Sequence, residues 1–199
     1  MTLIIHRLVV CTLLSAALIG LNRAQADEWE AASQIINQAS VQMLELLDST
    51  ANKTEIFASA QLILEPVISF ETISRGVMGK FFRRANDDQK KRFEKVLKQT
   101  LLQTYIAVLS TYKIEAFTIN PNPVNEDKVN YERVWVKVVA GGSAFDIYYS
   151  MRLIDSQWKL TNLIIDGVNL GLVFRTQFAS AMNTHNSDMN QVIEKWLSS

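Results

Sequence analysis

The stretch Phe70–Tyr112, FETISRGVMGKFFRRANDDQKKRFEKVLKQTLLQTYIAVLSTY, decides how the rest of the chain is read. Phe93, Val96, Leu97, Leu101, Tyr105, Val108, Leu109 and Tyr112 recur at steps of three and four, which predicts a long amphipathic helix. Its start is marked by three signals. Asn86 can cap the first amides, Gln89 stands where a capping box needs it, and Asp87 and Asp88 favour the positive end of the helix dipole. Lys90, Lys91, Arg92, Lys95 and Lys98 fill the other side. Leu102 and Ile106 widen the apolar stripe in the second half, which suits a helix that covers a sheet or a ligand rather than one narrow seam. Before the break at residues 85–88 a shorter helix carries Gly76 and Gly79. Each costs about 1 kcal/mol in a helix interior, so close packing or a helix end near Gly79 is expected.

Toward the N-terminus, Glu28 to Leu47 is a helix candidate capped by Asp27, with Ile35, Ile36, Ala39, Met43, Leu44, Leu46 and Leu47 as apolar positions. A second begins after Thr54 and runs toward Pro66, which should end or kink it. Toward the C-terminus the period changes to alternation. Lys113 to Asn120 reads as a strand, residues 121–127 as a loop, and Lys128 to Ala140 as a strand with Val134, Val136 and Val138 on one face. Gly141-Gly142-Ser143 turns the chain into Phe145 to Ile154, with Phe145, Ile147, Tyr149, Met151 and Leu153 on one face, and Gln157 to Asp166 follows. Residues 166–170 form a turn. Gly171 to Met182 is a helix with Leu172, Val173, Phe174, Phe178 and Ala181 inward, and Asp188 caps a last helix. Helices, then strands, then helices predict an α+β fold, with an antiparallel sheet of about four strands packed against N-terminal and C-terminal helices.

Residues 1–26 read as an export signal: Arg7, an apolar run from Leu8 to Leu21, and Ala24-Gln25-Ala26 as cleavage site. The run is too short for a membrane-spanning helix, which needs roughly 20 residues. Cys11 is the one cysteine and lies within it, preceded by Val10, so neither a lipoprotein site nor a disulfide framework is expected. Removing Arg7 and Arg23 from the 20 basic residues leaves two fewer than the 20 acidic ones. Nothing in that balance demands nucleic acid. Residues 27–199 are long enough for one domain with a full core.

No catalytic constellation stands out. His185 is the one histidine after the signal and sits in a polar stretch, whereas zinc needs three or four donors at fixed spacing. Gly141-Gly142-Ser143-Ala144 lacks a nucleophile elbow, and no phosphate-cradling glycine loop is present. Glu71, Asp146 and Asp166 are the carboxylates that acid–base work would draw on; helix face, strand face and turn explain them as well. Three classes stay open from the residues alone: a carrier of an apolar ligand, a small enzyme with a sheet-and-helix pocket, and an adaptor domain with a filled core.

Leu64-Glu65-Pro66, Phe70, Ile73-Ser74-Arg75-Gly76-Val77-Met78-Gly79, Phe82, Ala85, Gln89, Arg92-Phe93, Leu101, Tyr105, Leu109 and Tyr112 form an ordered set, joined after the strands by Trp158, Asp166-Gly167-Val168-Asn169-Leu170, Arg175 and Gln177-Phe178. This set resembles the MlaC family, also called the toluene-tolerance Ttg2 family, of periplasmic phospholipid-transport proteins. The chain departs from the family's usual pattern at Asn169, where serine is usual, and at Ser69-Phe70-Glu71, where more acidic residues flank the phenylalanine.

The resemblance implies a periplasmic protein that holds phospholipid acyl chains in an apolar pocket between sheet and helices. It would shuttle lipid between an outer-membrane lipoprotein–porin complex and an inner-membrane ABC transporter bearing a substrate-binding ring, keeping the outer membrane asymmetric, with no cofactor, metal or catalytic residue. The expected walls are Val77, Leu101, Tyr105 and Leu109 from the helices, Val134, Val136, Val138, Ile147, Tyr149, Met151, Leu163 and Ile165 from the sheet, and Val168, Leu170 and Phe174 beyond it. Arg75, Lys80, Arg83 and Arg84 are expected to meet a phosphate head group or an acidic partner.

Overall fold

The structure, a computed structural model, describes residues 28–49, 52–112, 114–121 and 130–196. The export signal with Cys11, the proposed cap Asp27, most of the expected loop at residues 121–127 and the expected strand start at Lys128 lie outside the described residues. Helix α1 covers residues 28–48. Helix α2, Lys53–Leu64, starts earlier than expected because Asn52, not Thr54, caps it: its side chain accepts from Thr54 and Glu55 amides while Glu55 accepts from the Asn52 amide. The chain then leaves the helix just before Pro66.

Helix α3, Phe70–Met78, is capped by Ser69 and stopped by Gly79, whose φ of 53° suits glycine. A Cβ there would lie 2.7 Å from Nε of Arg175, so a second constraint acts at that position. After the 3-10 segment Gly79–Arg84, the expected capping box between Asn86 and Gln89 forms in full and opens helix α4, Asp87–Thr111. The two departures from the family pattern are thereby explained. Ser69 caps α3 and Asn169 caps a later helix through the Leu172 amide, and serine, aspartate and asparagine are interchangeable in that role.

The strands are β1 (Ile114–Asn120), β2 (Tyr131–Ala140), β3 (Ser143–Ile154), β4 (Gln157–Ile165) and β5 (Val168–Asn169), in the spatial order of the sequence and all antiparallel. The sheet has five strands rather than about four. Val168-Asn169, read as turn from sequence, folds back through Asp166-Gly167 to pair with Ile164 and Ile165. Two residues are too short for an alternating pattern to appear. Helices α5 (Leu170–Thr184) and α6 (Met189–Trp196) complete the chain; Asp188 caps α6 by accepting from the Asn190 and Gln191 amides.

Apolar burial falls into three clusters. The largest joins α3, α4, α5 and α6 around Phe81, Phe93, Phe178 and Trp196, with ring centroids 4.8 Å apart for Phe93 and Phe178 and 5.3 Å for Phe93 and Trp196. Tilted aromatic packing of this kind adds roughly 0.5–1.5 kcal/mol per pair to the area term. A second sets Ala32 and Ile36 of α1 against Val134, Val136, Met151 and Trp158 of the sheet. The third gathers Met43, Ala60, Leu64, Phe70 and Leu102 from α1, α2, α3 and α4. Leu172 and Val173, expected inward on α5, are 58% and 38% exposed. They occupy the first turn, beyond the reach of the helical cluster that covers Phe178 and Met182.

Candidate functional site

Direct cross-strand partners share a face. Val134 opposes Tyr149, Val136 opposes Ile147 and Val138 opposes Phe145; Tyr149 in turn opposes Leu163, and Ile147 opposes Ile165. A bulge after Ser150 shifts the register so that Met151 meets Leu160. One face of the sheet therefore carries Phe117, Ile119, Val134, Val136, Val138, Ile147, Tyr149, Met151, Leu163 and Ile165. The other carries Trp135 stacked on Tyr148, Lys137 and Arg152.

The apolar face is not closed uniformly. Val134, Val136 and Met151 are at most 2% exposed beneath α1. Ile147, Leu163, Ile165 and, at the head of α5, Leu170 are only half-buried and join none of the three clusters. Helix α4 explains this. It packs chiefly against α2, α3 and α6, while the sheet meets helices α3 and α5 through β4 and β5. Leu101, Tyr105 and Leu109 on the second half of α4 are likewise half-buried, and the apolar surface that they and this part of the sheet leave uncovered defines the gap.

Tyr105 of α4 packs against the cluster shared by α1, α2, α3 and α4, and Tyr149 of β3 lies on the apolar sheet face. Burial pushes Tyr105 up to about 12, and pushes Tyr149 further, with Tyr105 itself adding to the effect. Both rings are thus deep in the protein, yet both keep part of their surface open. Leu101 and Leu109 extend the α4 wall and Phe174 the α5 wall, all half-buried. Two shallow surface grooves, of about 380 and 480 Å3, lie elsewhere and include none of these wall residues.

The expected wall residues divide accordingly. Leu101, Tyr105, Leu109, Ile147, Tyr149, Leu163, Ile165, Leu170 and Phe174 are half-buried. Val77, 1% exposed, sits in the α3–α6 cluster, Val134, Val136 and Met151 sit beneath α1 with half-buried Val138 beside them, and Val168 is 52% exposed. Phe117 and Ile119 on β1 share the apolar face and were not singled out from sequence, although strand alternation held the signal. Glu132, in phase with Val134, was overlooked for the same reason. It is 6% exposed opposite Met151, and burial with nearby Glu28 pushes its carboxyl up to about 7.

The cations gather at the break before α4. Arg75 lies 5.2 Å and Lys90 5.1 Å from the Phe82 ring centre, Lys80 5.1 Å and Arg84 6.0 Å from that of Phe81, and Arg83 is exposed beside them. Arg175 adds its guanidinium at Gly79. Within this group, Arg75 and Lys90 hold ion pairs among the described residues, with Glu71 and Asp87.

The carboxylates considered for acid–base work are tied into structure. Glu71 pairs with Arg75, Asp146 accepts from Trp135 Nε1 at 3.0 Å, and Asp166 accepts from the Asp146 amide at 2.8 Å. His185 ends α5, its amide donating to the Ala181 carbonyl. Among the described residues no group of three or more metal-ligating side chains converges, and no helix is long and apolar enough to cross a membrane.

A five-stranded antiparallel sheet packed with helices in this order is a fold shared with a solved phospholipid-binding protein. That structure, from Ralstonia solanacearum in complex with a phospholipid, superposes with a TM-score of 0.72 at 18% identity, covering 83% of this chain and 98% of its own. Sequence gives the finer assignment. The chain belongs to the MlaC family, whose model matches residues 36–198, and it is 31% identical over 148 residues to the toluene tolerance protein ttg2D of Pseudomonas putida, 73% of this chain and 68% of that protein.

Proposed function

We propose that this protein is a phospholipid carrier of the periplasm, exported by a cleaved signal in residues 1–26 and active as one domain over residues 27–199. It takes lipid between an outer-membrane lipoprotein–porin complex and an inner-membrane ABC transporter with a substrate-binding ring, and so maintains outer-membrane asymmetry. The observation that carries this reading is the part of the apolar sheet face around Ile147, Leu163 and Ile165, with Leu170 beside it, whose residues are half-buried and join none of the three clusters among the described residues. Membership of the MlaC family supports it.

The physical need is plain. Two acyl chains hold about 30 methylenes, and at about 0.8 kcal/mol each their exposure to water costs on the order of 20 kcal/mol or more. A carrier removes that barrier by matching the bilayer's apolar environment. It needs no bond-breaking chemistry, cofactor or metal, and the tying up of Glu71, Asp146 and Asp166 fits a site without catalysis. The basic group around Phe81 and Phe82 serves as the contact for an acidic partner or for the lipid phosphate.

Native mass spectrometry of the exported protein, with organic extraction of what travels with it, tests the reading. A stoichiometric mass increment identified as phospholipid is expected. A bare polypeptide mass, with no uptake from liposomes, would leave only a shared fold.

A further inference from the structure

Seven large apolar side chains are exposed among the described residues, and five of them stand at one end of the sheet. Val108 and Tyr112 lie at the close of α4, Val168 on β5, and Leu172 and Val173 in the first turn of α5; the other two, Val41 and Leu62, are on α1 and α2. The strand register places these elements at the same end. Ile114 opens β1 opposite Ala140 at the close of β2, and a Cβ on Gly141 in the turn that follows would lie 3.9 Å from the Tyr112 ring. On the next strand the Asp146 amide donates to Asp166 at 2.8 Å, and Ile165 pairs with Val168, which brings in the β4–β5 turn and the head of α5. The exposed residues border the half-buried ones, since Val108 and Tyr112 flank Leu109 on α4 and Leu172 and Val173 follow Leu170.

Charge is missing from the same stretches. Residues 99–112, 138–145 and 167–174 hold no Asp, Glu, Lys or Arg, thirty residues in a chain that is 20% charged. The acidic residues near them are already engaged: Glu115 accepts from the Gly142 amide at 3.0 Å, Asp146 from Trp135 Nε1 at 3.0 Å, and Asp166 from the Asp146 amide. A protein partner is ordinarily met through a polar and charged rim that fixes its register. Apolar side chains set on separate turns, a tyrosine among them and no charge between, suit a surface that needs no register, the interface of a bilayer. We infer that this end docks on the lipid bilayer itself, with Val108, Tyr112, Val168, Leu172 and Val173 entering the acyl boundary so that lipid reaches the half-buried walls without crossing water. The inference rests on the carrier reading above. Contact of this kind is insensitive to salt, which separates it from any contact made by the basic group around Phe81 and Phe82.

Flotation tests it. The full exported chain is mixed with phosphatidylcholine vesicles, which carry no net charge, and floated on a density gradient, while the lipid held by the protein is measured separately by native mass spectrometry. Wild-type protein should float with the vesicles equally at about 0.05 and 0.5 M salt. Tyr112→Glu with Leu172→Glu should weaken vesicle binding about 10-fold. Its melting temperature should be unchanged, because both positions are exposed. Arg83→Glu with Arg84→Glu should leave flotation as it is. Lipid-loaded wild type that fails to float, flotation only on anionic vesicles at low salt, or full flotation of the Tyr112→Glu, Leu172→Glu variant overturns the inference and leaves the carrier reading standing. Wild type that neither holds lipid nor floats overturns both.

Discussion

Helix α4 has two halves built on the same apolar spacing and used in opposite ways. In the first, Phe93 and Leu97 have no exposed surface and are locked among Phe178, Met182 and Trp196. In the second, Leu101, Tyr105 and Leu109 are half-buried, and the sheet face across from them is only partly covered. The first half is sealed on its apolar side, whereas the second buries Leu102 against α1, α2 and α3 and leaves its neighbours half-buried. A stripe that widens where its protein partners thin out is how a chain sets aside volume for something other than itself. The sheet repeats the division, with Val134, Val136 and Met151 sealed under α1 and Ile147, Leu163 and Ile165 left open.

Truncation should separate the two regions most sharply. Phe178→Ala opens a cavity among rings packed on every side and is expected to cost about 3–5 kcal/mol in denaturant unfolding of the lipid-free protein. Leu163→Ala, in the open region, should cost less than about 1.5 kcal/mol, and Leu163→Asp should abolish lipid loading while the protein stays folded. Similar costs for Phe178→Ala and Leu163→Ala would mean that the gap is an ordinary core.

Glu132 lies under α1 at the sealed end of the sheet, and its effect should be intermediate. Its raised folded value, about 7 against an ordinary 4.5, means the folded protein holds a proton that the unfolded chain has already released. The contribution of Glu132 to stability is therefore greatest below about pH 4.5, falls as pH rises toward 7, and levels off above it. The loss should be of the order of 2–3 kcal/mol. Glu132→Gln should remove that slope and be the more stable protein at pH 8, measured by urea unfolding across the pH range. An unchanged slope would show that the carboxyl is hydrated in the folded state.

The smallest effect on stability belongs to the basic group outside both regions. Arg83→Glu with Arg84→Glu should alter unfolding free energy by no more than about 0.5 kcal/mol, since both side chains are exposed. Bound lipid should be unchanged, and transfer to acceptor membranes carrying the partner complexes should slow at low salt. Unaltered transfer would remove these residues from partner recognition.

Much of this was legible before any coordinates. The Asn86–Gln89 capping box, the stop near Gly79, the α+β order and the faces of β2 and β3 are local matters, fixed by neighbours within a few residues, and they appear as expected. Leu172 and Val173 show where that legibility ends, because a helical pattern records which residues are apolar and not whether anything covers them. Val77 and Leu101 make the same point from the wall. They lie on neighbouring helices with equal apolar credentials, and one is sealed in the helical cluster while the other borders the gap.

The sequence by itself determined the elements, their caps, their order and the family to which the chain belongs, since each is written in short-range spacing or an ordered set of residues. The tertiary structure alone decided which apolar residues pack against one another and which are left facing a void. That depends on which elements meet: α4 packs chiefly on α2, α3 and α6, while α1 covers one part of the sheet face and leaves the rest half-buried.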